Sequence, residues 1–406
     1  MSAAKAAATA VLDRASFLQT LQVMGVAAEG KQIGHIIKTF SQHLLNRPKL
    51  RNVVTSAKPN VSKLVLLSEK IQGNDLTGCP QELHDYIRAE NLQVQPHEIS
   101  LDYSFWSVEH VLRRILPDTI TEIPASFETI GHIAHLNLRD FHLPYKHVIG
   151  QVILDKNTPR IKTVVNKTDV IDSVFRTFPM EVLAGDDNMD VVLHETDCTF
   201  HFNFAHVYWN SRLQQEHLRL VRSIDPTDVV CDMMCGIGPF AIPLAKRGCI
   251  VYANDLNPHS FAALNVNRQK NKVDGRVRSF NMDGRAFVTH LLASKIQFTQ
   301  VIMNLPAIAL EFLDAFPGQF DHWQGDLPTV HTYCFTTNMD SPDKDVQERA
   351  EAVLGAPLTE FRVHHVRDVA PKKLMMCISF KLPAASAYSA DKFKDLHSKK
   401  PKLAAE

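Results

Sequence analysis

The feature of this sequence that most constrains its fold is a regular alternation of short apolar runs and helical stretches between Asp228 and Leu382. The runs are rich in β-branched residues, which predicts strands, and strands that alternate with helices form βαβ units. We therefore predict an α/β fold with a mostly parallel sheet. The predicted strands are VVCDMM (229–234), CIVYAND (249–255), VRSFNMD (277–283), TQVIMNLP (299–306) and TVHTYCFT (329–336). After the last helix, FRVHHVRD (361–368) and KLMMCISFKL (373–382) are predicted to pair as an antiparallel edge.

The chain before this sheet divides into two further parts. Residues 121–210 have strand-like runs around one helix near Lys146–Asp155, which predicts a smaller α+β domain. Residues 1–120 show a helical pattern near Gln32–Leu45 and the strand candidate KLVLLS, and we expect an N-terminal accessory domain that contacts the substrate. The predicted division is residues 1–120, 121–210 and 211–385, followed by a polar, basic tail at 386–406.

Composition excludes some classes of protein. Lys+Arg and Asp+Glu both number 44, so any affinity for nucleic acid must come from local basic patches. No apolar run approaches the ~18 residues of a membrane span, so we expect no membrane segment. The seven cysteines never form CxxC, which is typical of a reduced intracellular protein without structural zinc. The first twelve residues are Ala-rich and lack acids, and we expect a helical tail there rather than a mitochondrial presequence.

A glycine loop follows the first predicted strand of the sheet. CDMMCGIGPF (231–240) carries Asp232, Gly236 and Gly238 ahead of a predicted helix. Glycines let the backbone approach a ligand, and the helix N-terminus offers free N–H groups. By itself such a loop is as often an ordinary tight turn. A third glycine is missing where a dinucleotide site would have GxGxxG, which favours S-adenosylmethionine over a dinucleotide.

Polar residues also follow the next three strands. Asp255 and Leu256 end the second strand, and an acid there can accept hydrogen bonds from ribose hydroxyls. Asp283 and Gly284 end the third, where Asp283 is placed to cap a helix, a role that binding of the adenine edge need not exclude. Asn304 ends the fourth and either caps a turn or lies nearest the target base. In open α/β sheets, ligands bind at the carboxyl ends of strands, so we expect these clusters to meet.

These residues resemble a known family, the tRNA guanine-N1-methyltransferases of archaea and eukaryotes, which act on the guanosine 3′ of the anticodon at position 37. The resemblance runs from about Glu128 to Leu382 and implies a class I, Rossmann-like methyltransferase sheet, S-adenosylmethionine as cofactor and tRNA as partner. Its motifs are VNKTDVIDSVFRTFPMEVLAG (165–185), FNFAHVYWNSRLQQEHLRL (202–220), CGIGPFAIPLAK (235–246), ANDLNPHSFAALNVNRQKN (253–271), NMDGRAF (281–287) and NLPAIALEFLD (304–314).

The resemblance also implies catalytic positions. Glu216 matches the general base that removes the guanine N1 proton; a solvated helix carboxylate is the alternative. Arg176 matches an arginine that stabilises charge on O6, with an ordinary surface arginine as the alternative. Tyr208 matches a tyrosine that orients the target base, although Tyr208 and Trp209 could be core anchors. His217 matches a position that borders the cofactor, against a structural histidine.

Two other groups of residues are weaker candidates for binding tRNA or a metal ion. Basic residues outnumber acids in 139–176 and could contact tRNA phosphates, although such runs are usually solvated; they are Arg139, Lys146, Lys156, Arg160, Lys162, Lys167 and Arg176. The pair His132/His135 and the doublet His364-His365 lack acidic or cysteine partners at ligand spacing, so no metal site is expected.

The resulting hypothesis is a methyltransferase that modifies N1 of guanosine 37 in tRNA. One alternative is the related wybutosine-pathway transferase, which moves the aminocarboxypropyl group of the same cofactor; the other is a noncatalytic tRNA-binding protein on the same fold. We expect a monomer. The resemblance implies the cytoplasm and nucleus, with a mitochondrial matrix pool as a further compartment.

Overall fold

The chain forms two compact units. The computed structural model describes residues 12–56, 63–168, 175, 177 and 179–389. One unit combines Met1–Ser126 with Leu138–Thr158, and the other combines Phe127–Asn137 with Pro159–Glu406. This division differs from the predicted boundaries, because residues 138–158 belong to the first unit and the strands on either side of them to the second. Local patterns predicted the elements, but the three crossings of the chain between the units leave no local signal in the sequence.

The first unit is a four-stranded antiparallel sheet with helices. Its sheet has the order β2-β3-β1-β4. The strands are β1 (Gln19–Ala27), β2 (Val53–Thr55), β3 (Lys63–Leu66) and β4 (Val94–Leu101), and the helices are α1 (Gly30–Thr39), α2 (Gln81–Ala89), α3 (Val108–Ile115) and α4 (Lys146–Asn157). Val26, Ile36, Val65 and Leu83 are fully buried between sheet and helices. The predicted helices near 32–45 and 146–155 and the strand KLVLLS are confirmed.

The second unit contains a seven-stranded sheet of order β13-β12-β11-β14-β15-β17-β16. Its first five strands are parallel, and β17 pairs antiparallel with both β15 and β16. The strands are β11 (Val229–Asp232), β12 (Ile250–Asn254), β13 (Val277–Phe280), β14 (Gln300–Met303), β15 (Thr329–Thr336), β16 (Phe361–Ala370) and β17 (Lys373–Lys381). All seven strand predictions are confirmed, with one refinement: of the antiparallel pair, β17 is interior and only β16 lies at an edge of the sheet.

Helices cover both faces of this sheet. They are α5 (Gln214–Ser223), α6 (Ala241–Arg247), α7 (Pro258–Lys270), α8 (Gly284–Ala293), α9 (Pro342–Leu354) and α10 (Ala384–Ala387). One apolar cluster contains Leu220 of α5 and Leu264 of α7, and a second contains Leu291 of α8 and Val346 of α9. Parallel strands covered on both faces are apolar throughout, which explains why their runs stood out in the sequence.

A smaller sheet and a hairpin complete the second unit. The sheet has the order β5-β6-β7-β8, and β9 pairs antiparallel with β10. The strands are β5 (Glu128–Ile130), β6 (Ile133–Leu136), β7 (Thr163–Lys167), β8 (Met180–Gly185), β9 (Asp190–Glu195) and β10 (Cys198–Asn203). Asn267 of α7 accepts a hydrogen bond from the N–H of His201 in β10 at 2.7 Å, so the hairpin packs on the large sheet's helical layer.

The C-terminal tail begins later than predicted. Residues 386–389 fall in the predicted tail, yet the carbonyls of Ser386 and Ala387 accept hydrogen bonds from the N–H groups of Gly318 and Phe320. Ala387 is fully buried in the apolar cluster of α8 and α9. The tail prediction is therefore wrong for these residues, because a short helix supplies enough apolar surface to pack. Among the described residues, no helix is long and apolar enough to cross a membrane.

Candidate active site

The polar clusters predicted at the strand ends do meet at one edge of the large sheet. Asp232 pairs in parallel register with Ala253 of β12 and Ile302 of β14, and Asn254 pairs with Phe280 of β13. The loops that follow these strands are therefore neighbours. The buried side chain of Asn254 links two of them, because its Nδ2 donates to the carbonyl oxygens of Met233 and Met282 at 3.1 and 3.0 Å.

The two glycines of the loop after β11 serve different purposes. Gly236 has φ +56° and Gly238 has φ +97°, a region that favours glycine in both cases. A Cβ on Gly236 would meet no protein atom within 4 Å, whereas one on Gly238 would lie 2.8 Å from Ile242 and Leu264. Gly236 therefore offers an exposed stretch of backbone to a ligand, and Gly238 allows α6 and α7 to pack closely.

Asp255 lies opposite the glycine loop. Its Oδ2 accepts a hydrogen bond from the N–H of Gly236 at 2.8 Å, and its Oδ1 accepts one from the N–H of Asn257 at 2.9 Å. Burial raises the pKa of this carboxyl, while the two backbone hydrogen bonds act in the opposite direction. A carboxylate has about four acceptor positions, so about two remain for the hydroxyls of a ligand. The neighbouring Leu256 is exposed and available for apolar contact.

Asp232 is fully buried and lacks a partner. Neither carboxylate oxygen has a hydrogen bond to any described residue. Burial, together with the charge of Asp255, raises the pKa of Asp232 well above its usual value. Buried polar groups are nearly always hydrogen-bonded, so this carboxyl requires a donor that a ligand can supply. The Oδ1 atom of Asn304, after β14, is likewise buried without a partner.

The loop after β13 starts a helix. Oδ1 of Asp283 accepts hydrogen bonds from the N–H groups of Arg285 and Ala286 at 2.9 and 3.2 Å, so the prediction that Asp283 caps a helix is confirmed. A Cβ on Gly284 would lie 3.1 Å from Met233 and 3.3 Å from Phe312, tighter than ordinary contacts. A glycine is therefore favoured where α8 begins against the loop after β11. The role of Asp283 toward adenine stays a prediction.

Glu216 is a buried carboxylate in the first turn of α5. Its side chain is only 6% exposed, so the alternative of a solvated helix carboxylate is wrong. The guanidinium of Arg219 binds it through two hydrogen bonds of 2.6 Å, and the hydroxyl of Tyr333 donates to Oε1 at 2.8 Å. Nε2 of His364, on β16, lies 3.3 Å from Oε2. Three separate elements thus converge on one carboxylate.

The strand register places Tyr333, the partner of Glu216, level with Asn304. Met303 of β14 pairs with Thr332 of β15, so Asn304 and Tyr333 follow at the same level on neighbouring strands. The N–H of Phe335 also donates to the carbonyl of Pro306 at 3.0 Å, which fixes the loop after β14 against β15. Tyr333, which binds Glu216, therefore connects this carboxylate to the edge of the sheet that carries the other polar clusters.

Similar proteins of known name show to which family the chain belongs. A protein of Phytophthora infestans named tRNA (guanine(37)-N(1))-methyltransferase is 56% identical, covering 98% of this chain and 98% of its own. One of the same name from Batrachochytrium dendrobatidis is 41% identical and covers 92% of this chain and 88% of its own. The chain belongs to the tRNA (guanine(37)-N(1))-methyltransferase family.

Domain and structure comparisons agree with this membership. Residues 191–353 match the TRM5/TYW2 methyltransferase domain, and residues 108–188 match the TYW2 N-terminal domain. The solved complex of aTrm5 and tRNALeu is similar in fold, with a TM-score of 0.64 and 22% identity over 89% of this chain and 100% of that chain. The family and the class I methyltransferase fold that the motifs indicated are confirmed.

The remaining motif residues of this methyltransferase family member have different environments. Tyr208 is 43% exposed, whereas Trp209 is buried and serves as a core anchor. His217 is buried, with Nδ1 2.6 Å from Oε1 of Glu195 and its ring edge-on to Phe240. This is the environment of a structural histidine, although Phe240 lies directly after the glycine loop. Arg176 lies outside the described residues.

The basic run at 139–176 is divided between the two units. Arg139, Lys146 and Lys156 belong to the first unit, and Arg160, Lys162 and Lys167 to the second. Arg139 pairs with Glu122 at 3.0 Å, and the ammonium of Lys156 lies over the ring of Tyr103 at 3.6 Å. Burial lowers the pKa of Lys156 to about 8. At least these two residues therefore make local structural contacts.

Four residues of the site were missed by sequence reasoning. Arg219 stands three residues after Glu216, a spacing that brings side chains together on a helix, and this signal was present. Asn254 follows a predicted strand and could have been included with Asp255. Tyr333 and His364 come from strands far along the chain, and only the sheet register brings them to Glu216.

Proposed function

We propose that this chain transfers a methyl group from S-adenosylmethionine to N1 of guanosine 37 in tRNA, with Glu216 as the general base. The observation that carries the proposal is the buried carboxylate of Glu216, held by Arg219 and by Tyr333, which is level with Asn304 on the neighbouring strand. Membership of a family whose relatives are named for this reaction supports it.

The strand-end clusters fit S-adenosylmethionine. Asp255 has free acceptor positions suited to ribose hydroxyls, and the open backbone at Gly236 allows close approach. Asp232 has no donor among the residues that the structure describes, and the ammonium group of the cofactor's methionine part would satisfy it. Leu256 and Asp283 are assigned to the adenosine. The bound cofactor supplies a methyl group on a sulfonium, which is electrophilic.

The chain's own task is to prepare the guanine. N1 of guanine carries a proton at neutral pH, so its electron pair becomes available only when a base removes that proton. Glu216 is assigned this role, and its fixed orientation reduces the reorganisation needed for proton transfer. Removing the proton places negative charge on O6, which Arg176 and the side-chain amide of Asn304 are proposed to stabilise. The exposed ring of Tyr208 is assigned to stacking on the base.

A second candidate is aminocarboxypropyl transfer to tRNA from the same cofactor. The match of residues 108–188 to the TYW2 N-terminal domain favours it, whereas the names of the full-length relatives favour methylation. tRNA is the proposed partner in both cases, and the fold likeness to the aTrm5 complex with tRNALeu supports this. The monomeric state and the cellular compartments stay predictions.

The mass of the modified nucleoside separates these candidates. The protein is incubated with S-adenosylmethionine labelled in its methyl group and an unmodified tRNA transcript, followed by digestion and mass spectrometry. The control transcript carries adenosine in place of guanosine 37. We expect labelled 1-methylguanosine from the first transcript alone. An aminocarboxypropyl adduct, or tRNA binding without modification, would contradict the proposal.

A further inference from the structure

Four contacts surround the Glu216 carboxylate. Oε1 accepts from Nη2 of Arg219 at 2.6 Å and from the hydroxyl of Tyr333 at 2.8 Å. Oε2 accepts from Nε of Arg219 at 2.6 Å, and Nε2 of His364 lies 3.3 Å from it as an ion-pair contact. Because an ionised carboxylate offers about four acceptor positions and His364 stands at the fourth, the N1–H of a guanine reaches Oε2 only if His364 moves.

The three partners differ in how easily they can leave. Tyr333 is fully buried in β15, and Arg219 holds both oxygens with the two-pronged geometry of a charged pair. His364 makes the longest of the four contacts, its side chain is 46% exposed, and it lies on β16 at the sheet edge. His364 is therefore the partner that a substrate can displace at the lowest cost.

We propose that N1–H of the target guanine takes the place of His364 at Oε2 of Glu216, so that Oε2 is the atom that receives the proton. This inference rests on the proposed function. The proton moves from N1 to Oε2, the electrons of the N–H bond remain on N1, and Glu216 becomes a carboxylic acid. Arg219 and Tyr333 keep Oε1 in place during the exchange. His364 is a positioning residue that holds the carboxylate until the base arrives.

The test compares His364→Ala with His365→Ala. The neighbouring His365 is 51% exposed and pairs with Asp368 at 3.0 Å, so it is a matched control. Single-turnover methylation is measured against tRNA concentration. His364→Ala should lower the half-saturating tRNA concentration by about 2–5-fold, the range of a half-exposed ion pair, with no loss in the saturated rate, because the target guanine then has no partner to displace. His365→Ala should behave as wild type. A lower saturated rate for His364→Ala, or a half-saturating concentration equal to that of wild type, would overturn the proposal.

A readout without catalysis separates this inference from the proposed function. Protein labelled with ¹³C-histidine is observed by NMR with S-adenosylhomocysteine present, and the His364 signal is identified by its loss in His364→Ala. Adding tRNA should shift this signal, and tRNA with adenosine in place of guanosine 37 should not. If tRNA with guanosine 37 does not shift the His364 signal, the displacement of His364 is refuted, even when the protein methylates the tRNA. If the His364 signal shifts but the methylation assay yields no 1-methylguanosine, the proposed function is refuted, while the contact between guanosine 37 and the Glu216 site is supported.

Discussion

The N–H of Gly236 donates a 2.8 Å hydrogen bond to Oδ2 of Asp255. This contact joins the glycine loop after β11 to the end of β12, so the carboxylate helps to fix the shape of the loop. Each oxygen of Asp255 accepts one backbone N–H, from Gly236 or from Asn257. Changes on the two sides of this contact should therefore both affect the cofactor, for different physical reasons.

Removing the Asp255 carboxylate should weaken binding of the cofactor and leave the affinity for tRNA unchanged. Asp255→Ala loses hydrogen bonds to the ribose, and we expect a loss of ~1–3 kcal/mol in the free energy of S-adenosylmethionine binding, measured by calorimetry. Asp274→Ala, which removes an exposed acid beyond α7, is the control and should bind normally. A defect confined to tRNA affinity would place Asp255 on the RNA side instead.

A branched side chain at Gly236 should block the cofactor. Gly236→Val adds atoms where a Cβ meets no protein within 4 Å, so the side chain would occupy ligand space. Gly355→Val is the matched control, since Gly355 has φ +65° and equally open surroundings at the end of α9. A valine at positive φ strains the backbone, so thermal unfolding should show both variants to be about 1–2 kcal/mol less stable than wild type. Only Gly236→Val should lose binding, and equal binding by the two would exclude Gly236 from the site.

Arg219 should stabilise the fold as well as the carboxylate. Arg219→Gln leaves Glu216 buried without its charged partner, which should lower the free energy of unfolding by ~1–2 kcal/mol; the partial exposure of Arg219 limits the loss. Urea unfolding measures the change. Arg222→Gln on the exposed side of α5 should stay within about 0.5 kcal/mol of wild type. Equal stabilities of the two variants would show that the pair contributes little.

A buried histidine should make stability depend on pH. Nε2 of His331 lies 3.0 Å from Oε1 of Gln300, and Nδ1 lies 2.7 Å from the hydroxyl of Ser379, which suits a neutral ring. Burial, with a smaller effect of the Arg219 charge, lowers the pKa of His331 to about 4. Between about pH 6.5 and 4, the unfolded chain binds this proton and the folded chain does not, so stability falls as pH falls.

Replacing that histidine tests the dependence. Between about pH 6.5 and 4, His331→Gln should lose on the order of 1–3 kcal/mol less unfolding free energy than wild type does. Urea unfolding at several pH values measures this difference. His290→Gln, at an exposed position in α8, should keep the wild-type slope. If His331→Gln and wild type have the same slope, the ring is not the neutral buried group described here.

Much of the fold could be predicted because its signals are local. Strands such as 229–232 and 300–303 are apolar runs, and Asn257 and Asp283 cap helices at the positions that their residue types favour. The passage of residues 138–158 into the first unit could not be predicted, since it depends on packing between distant segments.

The candidate site was predicted in part for the same reason. Residues at strand ends, such as Asp232 and Asp255, were found because parallel strands align their carboxyl ends. The contacts of Glu216 with Tyr333 and His364 depend on the pairing of β15, β17 and β16, which no local pattern specifies. In the sequence, the His364-His365 doublet resembles at most a pair of metal ligands. The contact of His364 with Glu216 depends on the sheet and has no signal in the sequence.

The most direct test of general-base catalysis is the single-turnover rate of methylation by Glu216→Gln across pH. General bases typically contribute about 100–10,000-fold, so the variant should lose much of this range while cofactor and tRNA affinities stay close to wild type. Raising the pH should partly restore the rate, because more guanine N1 is then deprotonated without assistance. A rate within about a factor of two of wild type, far below the contribution of a base, would contradict the assignment of Glu216.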